Sequence, residues 1–418
     1  MRVLLLTHNY EPELGAPQQR WGALVRRFIQ AGHTVHVVSP SPHYPYGGLL
    51  PSAADMRRGA VHEGNYGETV HRVAFRPHAT RLGSRMFDQV VSSVDTIPTV
   101  LRRLRRIRPD VIVATAPALP TLFSGAFLSR TLDVPLVTEM RDAWPDLLAV
   151  ANDWDTAAVP VPSNRSAALR PRIVHAASAV TTTIQRRSSA VVTTTESFAS
   201  ALRIRGVRNV HVVRNGAHPL PNYEQHVQRD FAGELRVLYL GTVGRAQGLG
   251  AAVLAARQAY AGGVPLRLRI VGAGAEHEAV AEMAAKGDVP IEVFGQVPKH
   301  EVAEHYAWAD TLLVALRPWA PLKLTVPSKL YEAMSIGIHI TGMVEGEAAA
   351  ILRSANTGAV VAPGDVNGLA ETWAKLANDP SQLFVGDSGR AWTDEHANDD
   401  LLAERYLSIL EDVVAQHA

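Results

Sequence analysis

At 418 residues, 47% hydrophobic and 19% charged with a mean hydropathy of zero, the chain has the make-up of an ordinary globular protein of two or three domains. Its lack of cysteine excludes disulfides and thiolate metal sites and fits a reducing cytoplasm, and no run approaches the ~20 apolar residues of a membrane span. The net charge of +1 hides an asymmetry, since residues 1–205 hold 24 arginines, no lysine and 15 acidic residues, which leaves the rest of the chain acidic. A basic N-terminal half suggests an anionic partner there, either a membrane surface or a pyrophosphate-bearing acceptor. The expectation is a cytoplasmic protein, peripheral at most on the inner face of a membrane.

In chain order, residues 3–7, 35–39, 70–75, 111–114, 136–140, 180–183 and 190–194 read as short buried strands. Residues 20–30 and 98–108 fall between them with helical periodicity. Strands alternating with helices indicate a parallel sheet of the doubly wound kind. Residues 154–166, rich in Trp, Asp, Pro, Ala and Ser, read as a mobile loop. Turn residues and two prolines over 215–221 mark a hinge, with a domain boundary near 215–233. The strand pattern restarts at 236–239, 268–271, 291–294, 311–315, 338–341 and 359–361, and a last helix covers 401–418. The chain thus reads as two α/β domains, 1–215 and 233–395, followed by a terminal helix over 396–418, with ligands expected at the C-terminal ends of the strands.

Residues 327–342 carry the most information. Pro327 fixes φ and Ser328 has a capping hydroxyl, so a helix is expected to begin here with Lys329 in its first turn. Such a start offers free backbone N–H groups and a positive dipole end, which suit a phosphate. Glu332 follows Lys329 by three residues and shares its helix face. Ser335 and Gly337 read as the helix end and the apolar residues 338–340 as a buried strand. A phosphate seat with a carboxylate one turn away suits a nucleotide diphosphate whose ribose hydroxyls donate to the carboxylate. On these residues the segment resembles the donor-nucleotide motif of retaining GT-B glycosyltransferases of the glycosyltransferase family 4 type.

That resemblance implies two Rossmann-like domains facing across a cleft, the terminal helix crossing back to the first. It implies transfer of a sugar, with retention, from a nucleotide diphosphate donor, UDP-linked, to an acceptor hydroxyl. The implied acceptor is a glycan or a polyprenyl-diphosphate-linked glycan in surface-polysaccharide assembly. No metal, no other cofactor and no nucleic acid enter this reading.

Other loops fit the same picture. Gly15 and Ala16 follow the first strand and open a helix, where backbone donors can hold a diphosphate or an acceptor. Residues 241–249 follow the first strand of the second domain. In the family this loop carries an Arg and a Lys that grip the donor pyrophosphate; Arg245 matches the first, whereas Gln247 stands at the second, leaving Lys329 to supply the missing charge. The turns at Gly272 and at Gly295 and Val297 line the base pocket in the resembling family, and the lack of a third glycine argues against a dinucleotide fingerprint. Of two glutamates eight apart that many members share, Glu332 is the ribose-side one, and Leu324 replaces the other. Arg141-Asp142 with Trp144-Pro145 resembles a bacterial surface-polysaccharide subgroup. There Asp142 would orient or deprotonate the acceptor hydroxyl and Arg141 would hold it or an acceptor phosphate. Arg245 and Lys329 would stabilise the leaving diphosphate in a front-face displacement without a protein nucleophile.

Three other patterns lead elsewhere. Asp153 and Asp155 form an Asp-x-Asp pair without a preceding strand, and His300 and His305, five apart, cannot share a helix face as zinc ligands do. The basic run at 101–108 suits an anionic lipid surface or plain solvent, and its lack of aromatic residues argues against nucleic acid. Two alternatives to transfer stand beside the main reading: a sugar-nucleotide epimerase on the same twin-domain fold, and a catalytically silent sugar-nucleotide-binding protein.

Overall fold

The computed structural model describes residues 1–13, 15–44, 47–78, 82–148, 150, 170–217, 231 and 233–417. Among these, two compact units are found, one made of residues 1–148, 170–215 and 399–417, the other of residues 216–398.

The first unit holds strands β1 (Arg2–Leu6), β2 (Thr34–Pro40), β3 (Val61–Glu63), β4 (Thr69–Val73), β5 (Val111–Thr115), β6 (Leu136–Met140), β7 (Ala190–Thr193) and β8 (Val210–Val212). Its helices are α1 (Ala16–Gln30), α2 (Leu82–Thr99), α3 (Leu119–Leu132), α4 (Arg170–Arg187) and α5 (Glu196–Ile204). The sheet order is β3-β4-β2-β1-β5-β6-β7-β8, parallel throughout except for β3 against β4. Every residue of β5 and β6 is buried, as expected of central parallel strands covered on both faces.

The second unit holds β9 (Leu235–Leu240), α6 (Gly250–Ala261), β10 (Leu266–Val271), α7 (His277–Ala284), β11 (Ile291–Phe294), α8 (Lys299–Trp308), β12 (Thr311–Ala315), α9 (Ser328–Ile336), β13 (His339–Met343), α10 (Gly346–Ser354), β14 (Gly358–Val361), α11 (Val366–Asn378) and α12 (Ser388–His396). Its sheet is wholly parallel in the order β11-β10-β9-β12-β13-β14. In both sheets the strand order reverses beside the first strand of the unit, at β1/β5 and at β9/β12. In doubly wound sheets such a reversal, at the C-terminal strand ends, is the usual place for a ligand.

The chain's last helix, α13 (Asp399–His417), belongs to the first unit. Leu402, Ile409, Leu410 and Val413 join the core of the first sheet, and the Tyr406 ring lies 5.6 Å from Trp21 and 5.9 Å from Phe28 of α1.

The expected strand at 180–183 is instead part of α4. Thr181, Ile184 and Gln185 are buried while Val180 is 44% exposed, the i, i+3, i+4 pattern of a helix face. The β-branched run imitates a strand only when read without its neighbours. Residues 98–108 do not form a separate helix: Pro98 lies inside α2, and a wider turn follows over Val100–Leu104, closed by the Arg105 amide donating to the Val100 carbonyl at 3.0 Å. Strands β3 and β8 have three residues each, too few for a periodic signal. The expected loop at 154–166, the Asp153/Asp155 pair and most of the hinge lie outside the described residues.

Candidate functional site

At the C-terminal rim of the second sheet, the loops after β9 and β10 are joined backbone to backbone. The Gly241 amide donates to the Val271 carbonyl at 2.9 Å, Val243 to Ala273 at 3.0 Å, and Glu276 to Val243 at 3.0 Å. This closeness requires glycine at Gly272: a Cβ there would sit 1.8 Å from the Gly241 carbonyl oxygen, and φ is +146°. Gly272 therefore serves the protein's own packing first. Gly295 differs, because it lies exposed with nothing within 4 Å of a Cβ position, and Val297 is half-buried beside it. The two mark the rim of the edge strand β11, where Phe294 is 38% exposed.

Across the strand-order reversal, the Arg317 amide just after β12 donates to the Ala246 carbonyl at 2.8 Å. Its guanidinium bonds the Glu276 carboxylate at 2.7 Å. Burial raises the Glu276 pKa, against the pull of the Arg317 and Arg245 charges. Arg245, half-buried in the loop after β9, thus belongs to one charged group with Glu276 and Arg317.

Helix α9 begins at Ser328, with Pro327 at the N-cap and no side-chain cap hydrogen bond. Ser328 is consequently the first helical residue and not the cap that the sequence led one to expect. Pro327 supplies the extended backbone of a cap position but no oxygen, so the first-turn amides gain no partner from the cap residue's side chain. Lys329 and Glu332 meet one turn apart, Nζ lying 3.0 Å from Oε1 and 2.8 Å from Oε2. Tyr306 of α8, itself buried, donates its hydroxyl to Glu332 Oε1 at 2.7 Å. The stem of Lys329 passes 3.8 Å from the Cβ position of Gly241, so this pair borders the glycine loop. The lysine side chain is 38% exposed and the glutamate 13%. Both can therefore exchange partners with an incoming ligand.

The first unit's rim is built differently. Arg141 and Asp142 follow β6; the Arg141 Nε donates to the Ala116 carbonyl at 3.2 Å and Thr194 Oγ1 to the Arg141 carbonyl at 2.8 Å. Burial raises the pKa of Asp142, the adjacent Arg141 charge opposing it, and lowers that of Arg141. A carboxyl shifted upward is a better proton acceptor than an ordinary aspartate. Gly15 is the N-cap of α1 in extended backbone, Ala16 and Pro17 open the helix, and Gln18 is buried with Oε1 lacking a hydrogen-bond partner. Beneath lies an ion pair of Arg20 with Glu139 at 3.0 Å, to which Trp21 also donates at 3.0 Å.

The structure brings Lys329, Glu332 and the loop carrying Arg245 to one rim, with Gly272 underneath them. It places Gly15, Ala16, Arg141 and Asp142 in the other unit. Sequence reasoning missed Tyr306, Glu276 and Arg317. Arg317 carried a readable signal, a cation directly after a buried strand at the order reversal. Tyr306 carried none, since only the fold sets it against Glu332. Among the described residues, one group has metal-ligand spacing, His8, His43 and Asp88 of the first unit.

Comparison with known proteins follows the same division. Residues 15–216 match the family model of the glycosyl transferase 4-like domain, and residues 234–379 that of glycosyl transferases group 1. No curated protein sequence matches the chain. Among solved structures it is similar to sucrose-phosphate synthase (tll1590) from Thermosynechococcus elongatus, at 16% identity and a TM-score of 0.72 over 99% of both chains. It is similar to Anabaena Alr3699/HepE in complex with UDP-glucose, at 13% identity and a TM-score of 0.65, covering 99% of this chain and 100% of that one. WaaG, a glycosyltransferase involved in lipopolysaccharide biosynthesis, matches at 16% identity and a TM-score of 0.64 over 98% and 99%. At these identities the likenesses bear on the fold.

Proposed function

The chain is a glycosyltransferase of the GT-B fold, a 4-like domain followed by a group 1 domain, and from that premise we propose that it moves a sugar from UDP to an acceptor hydroxyl with retention. The observation that carries the donor assignment is the Glu332 carboxylate held by Lys329 and Tyr306 at the start of α9, beside the glycine loop. Lys329 turns from Glu332 to a donor phosphate, and Glu332 accepts from the ribose hydroxyls. Arg245 and the first-turn amides of α9 take up charge on the departing diphosphate. Gly272, Gly295 and Val297 border the base, and Ser328 adds a hydroxyl at the phosphates. HepE's complex with UDP-glucose supports UDP as the nucleotide.

In the step itself the bond from the anomeric carbon to the diphosphate oxygen breaks, and the acceptor oxygen bonds to the same face. The acceptor proton passes to the leaving diphosphate. Asp142, its pKa raised by burial, orients that hydroxyl, Arg141 holds it or an acceptor phosphate, and the Gly15-Ala16 turn supplies backbone donors. No metal takes part in this scheme. The acceptor class proposed is a glycan or a polyprenyl-diphosphate-linked glycan of surface-polysaccharide assembly, which the likeness to WaaG supports.

An anionic membrane surface is the second partner proposed. Among the described residues no helix is long and apolar enough to cross a membrane. Helix α2, however, exposes Met86, Phe87, Val90 and Val94 and continues into a turn whose Arg102, Arg103, Arg105 and Arg106 face solvent. Vesicles with and without anionic lipid test this directly: equal binding to both would remove it.

The donor reading is tested by thermal unfolding with UDP, GDP, ADP and dTDP. A nucleotide at ~100 times its dissociation constant adds about 2.7 kcal/mol. The expected result is a UDP-selective rise in melting temperature that Glu332→Ala and Lys329→Ala abolish. A folded wild type that responds to none of the four would sink the assignment.

A further inference from the structure

Three histidines and one aspartate converge at the rim of the first sheet, each histidine from the loop after a different strand. His8 follows β1, His43 follows β2 and His78 follows β4; Asp88 stands on α2. Asp88 is fully buried and His43 is 2% exposed, while the side chains of His8 and His78 are each 9% exposed. All three imidazoles present Nε2 to one oxygen. Asp88 Oδ2 lies 3.0 Å from His43, 3.2 Å from His8 and 3.9 Å from His78.

The remaining hydrogen bonds fix the electronic character of these atoms. Asp88 Oδ1 is occupied by the Arg76 amide at 2.6 Å, which leaves Oδ2 as the free corner of the carboxylate. His43 Nδ1 lies 2.8 Å from the Ser41 carbonyl, a pure acceptor, so Nδ1 carries the proton and Nε2 can hold a lone pair. A lone pair on Nε2 then faces a lone pair on Oδ2. Something positive must stand between them, either a second proton on His43 or a cation. A single divalent cation would answer His8, His43 and Asp88 together.

We infer that His8, His43 and Asp88, whose ligand atoms all lie within 4.8 Å of one another, form with His78 beside them a binding site for a divalent cation of borderline softness, zinc above all. In a tetrahedral zinc site with bonds of about 2.0–2.1 Å, neighbouring ligand atoms lie about 3.3 Å apart, close to the spacings at His43 and His8. Imidazole nitrogens beside one carboxylate oxygen suit zinc and do not suit magnesium or calcium, which take oxygen ligands. The His43 proton on a backbone carbonyl and the Arg76 amide on Asp88 are the outer contacts that orient zinc ligands. Three protein ligands, with His78 3.9 Å from Asp88 Oδ2 as the nearest candidate for a fourth, and little solvent access make the site structural, pinning rim loops to α2. It lies wholly in the first unit, and the transfer proposed above does not run through it.

The full chain, prepared without a histidine tag, is dialysed against zinc and its bound metal measured. Titration with Co2+ is followed by the visible bands of tetrahedral cobalt. About one zinc per chain is expected, with tetrahedral cobalt bands and a lower melting temperature after chelation. His8→Gln and His43→Gln should weaken binding at least about tenfold, whereas His300→Ala, 81% exposed on α8, leaves it unchanged. A wild type that takes up neither metal overturns the site and assigns the gaps to protons. Uptake unaltered in both glutamine variants overturns it too, by placing the metal elsewhere. Neither outcome bears on the donor nucleotide.

Discussion

Both sheets reverse their strand order beside the first strand of the unit, yet their rims use charge in opposite ways. In the first unit the rim's charged groups are sealed from water: Arg20 with Glu139, and Asp88 beside three imidazoles. In the second unit the cations stay partly in water, Lys329 at 38% and Arg317 at 26% side-chain exposure, each paired with a more buried carboxylate, Glu332 and Glu276. A sealed pair is costly to break and holds a loop in place; a half-exposed pair contributes little to stability and can be traded for a ligand. The difference teaches where rigidity and exchange are located. The second rim has its rigidity in backbone, through Gly241 and Gly272, and so leaves its side chains available.

The sharpest way to break this contrast is Glu139→Ala, which strands the buried Arg20. A loss of about 3–5 kcal/mol in urea unfolding is expected, and a loss below about 1 kcal/mol would show that the first rim is not sealed. Next is Gly272→Ala, whose methyl group would meet the Gly241 carbonyl. It should cost about 3 kcal/mol, against near neutrality for Gly295→Ala, where space is open.

Acid should weaken the second unit through His339, buried at the start of β13 and bonded to Thr311 at 2.8 Å. Burial lowers its pKa to about 4. Its contribution is complete above the unfolded value of about 6.5 and is lost as pH falls through about 4, up to about 3 kcal/mol in all. His339→Asn should flatten the stability profile between those limits; an unchanged slope would assign acid sensitivity elsewhere. Glu332→Ala should leave unfolding within about 1 kcal/mol of wild type yet weaken UDP about 10- to 100-fold, as loss of charged hydrogen bonds does. Equal damage to stability and binding would make Glu332 part of the framework.

The smallest effect separates two helix starts. Thr195 caps α5, accepting from the Phe198 amide at 3.2 Å, so Thr195→Ala should cost about 1 kcal/mol. Ser328 caps nothing, and Ser328→Ala should be silent in unfolding without ligand.

The parallel, doubly wound character of both sheets was legible because buried strands leave continuous apolar runs, and so was the helix start at Pro327. Three-residue strands left no period, and the β-branched residues around Thr181 read as a strand until their burial showed a helix face. At the candidate site, Lys329 and Glu332 were readable because helical geometry alone joins residues three apart. Tyr306 against Glu332, or His8, His43 and His78 around Asp88, could not be read.

The sequence by itself determined local things: the alternation of strands and helices, the glycines at strand ends, the pairing of neighbours one turn apart, and the absence of thiolate ligands. Only the tertiary structure decided which loops lie side by side, which charges are sealed and which histidines share an acceptor. Periodicity and turn chemistry act over a few residues, whereas burial and long-range pairing depend on strand order, which no local pattern encodes.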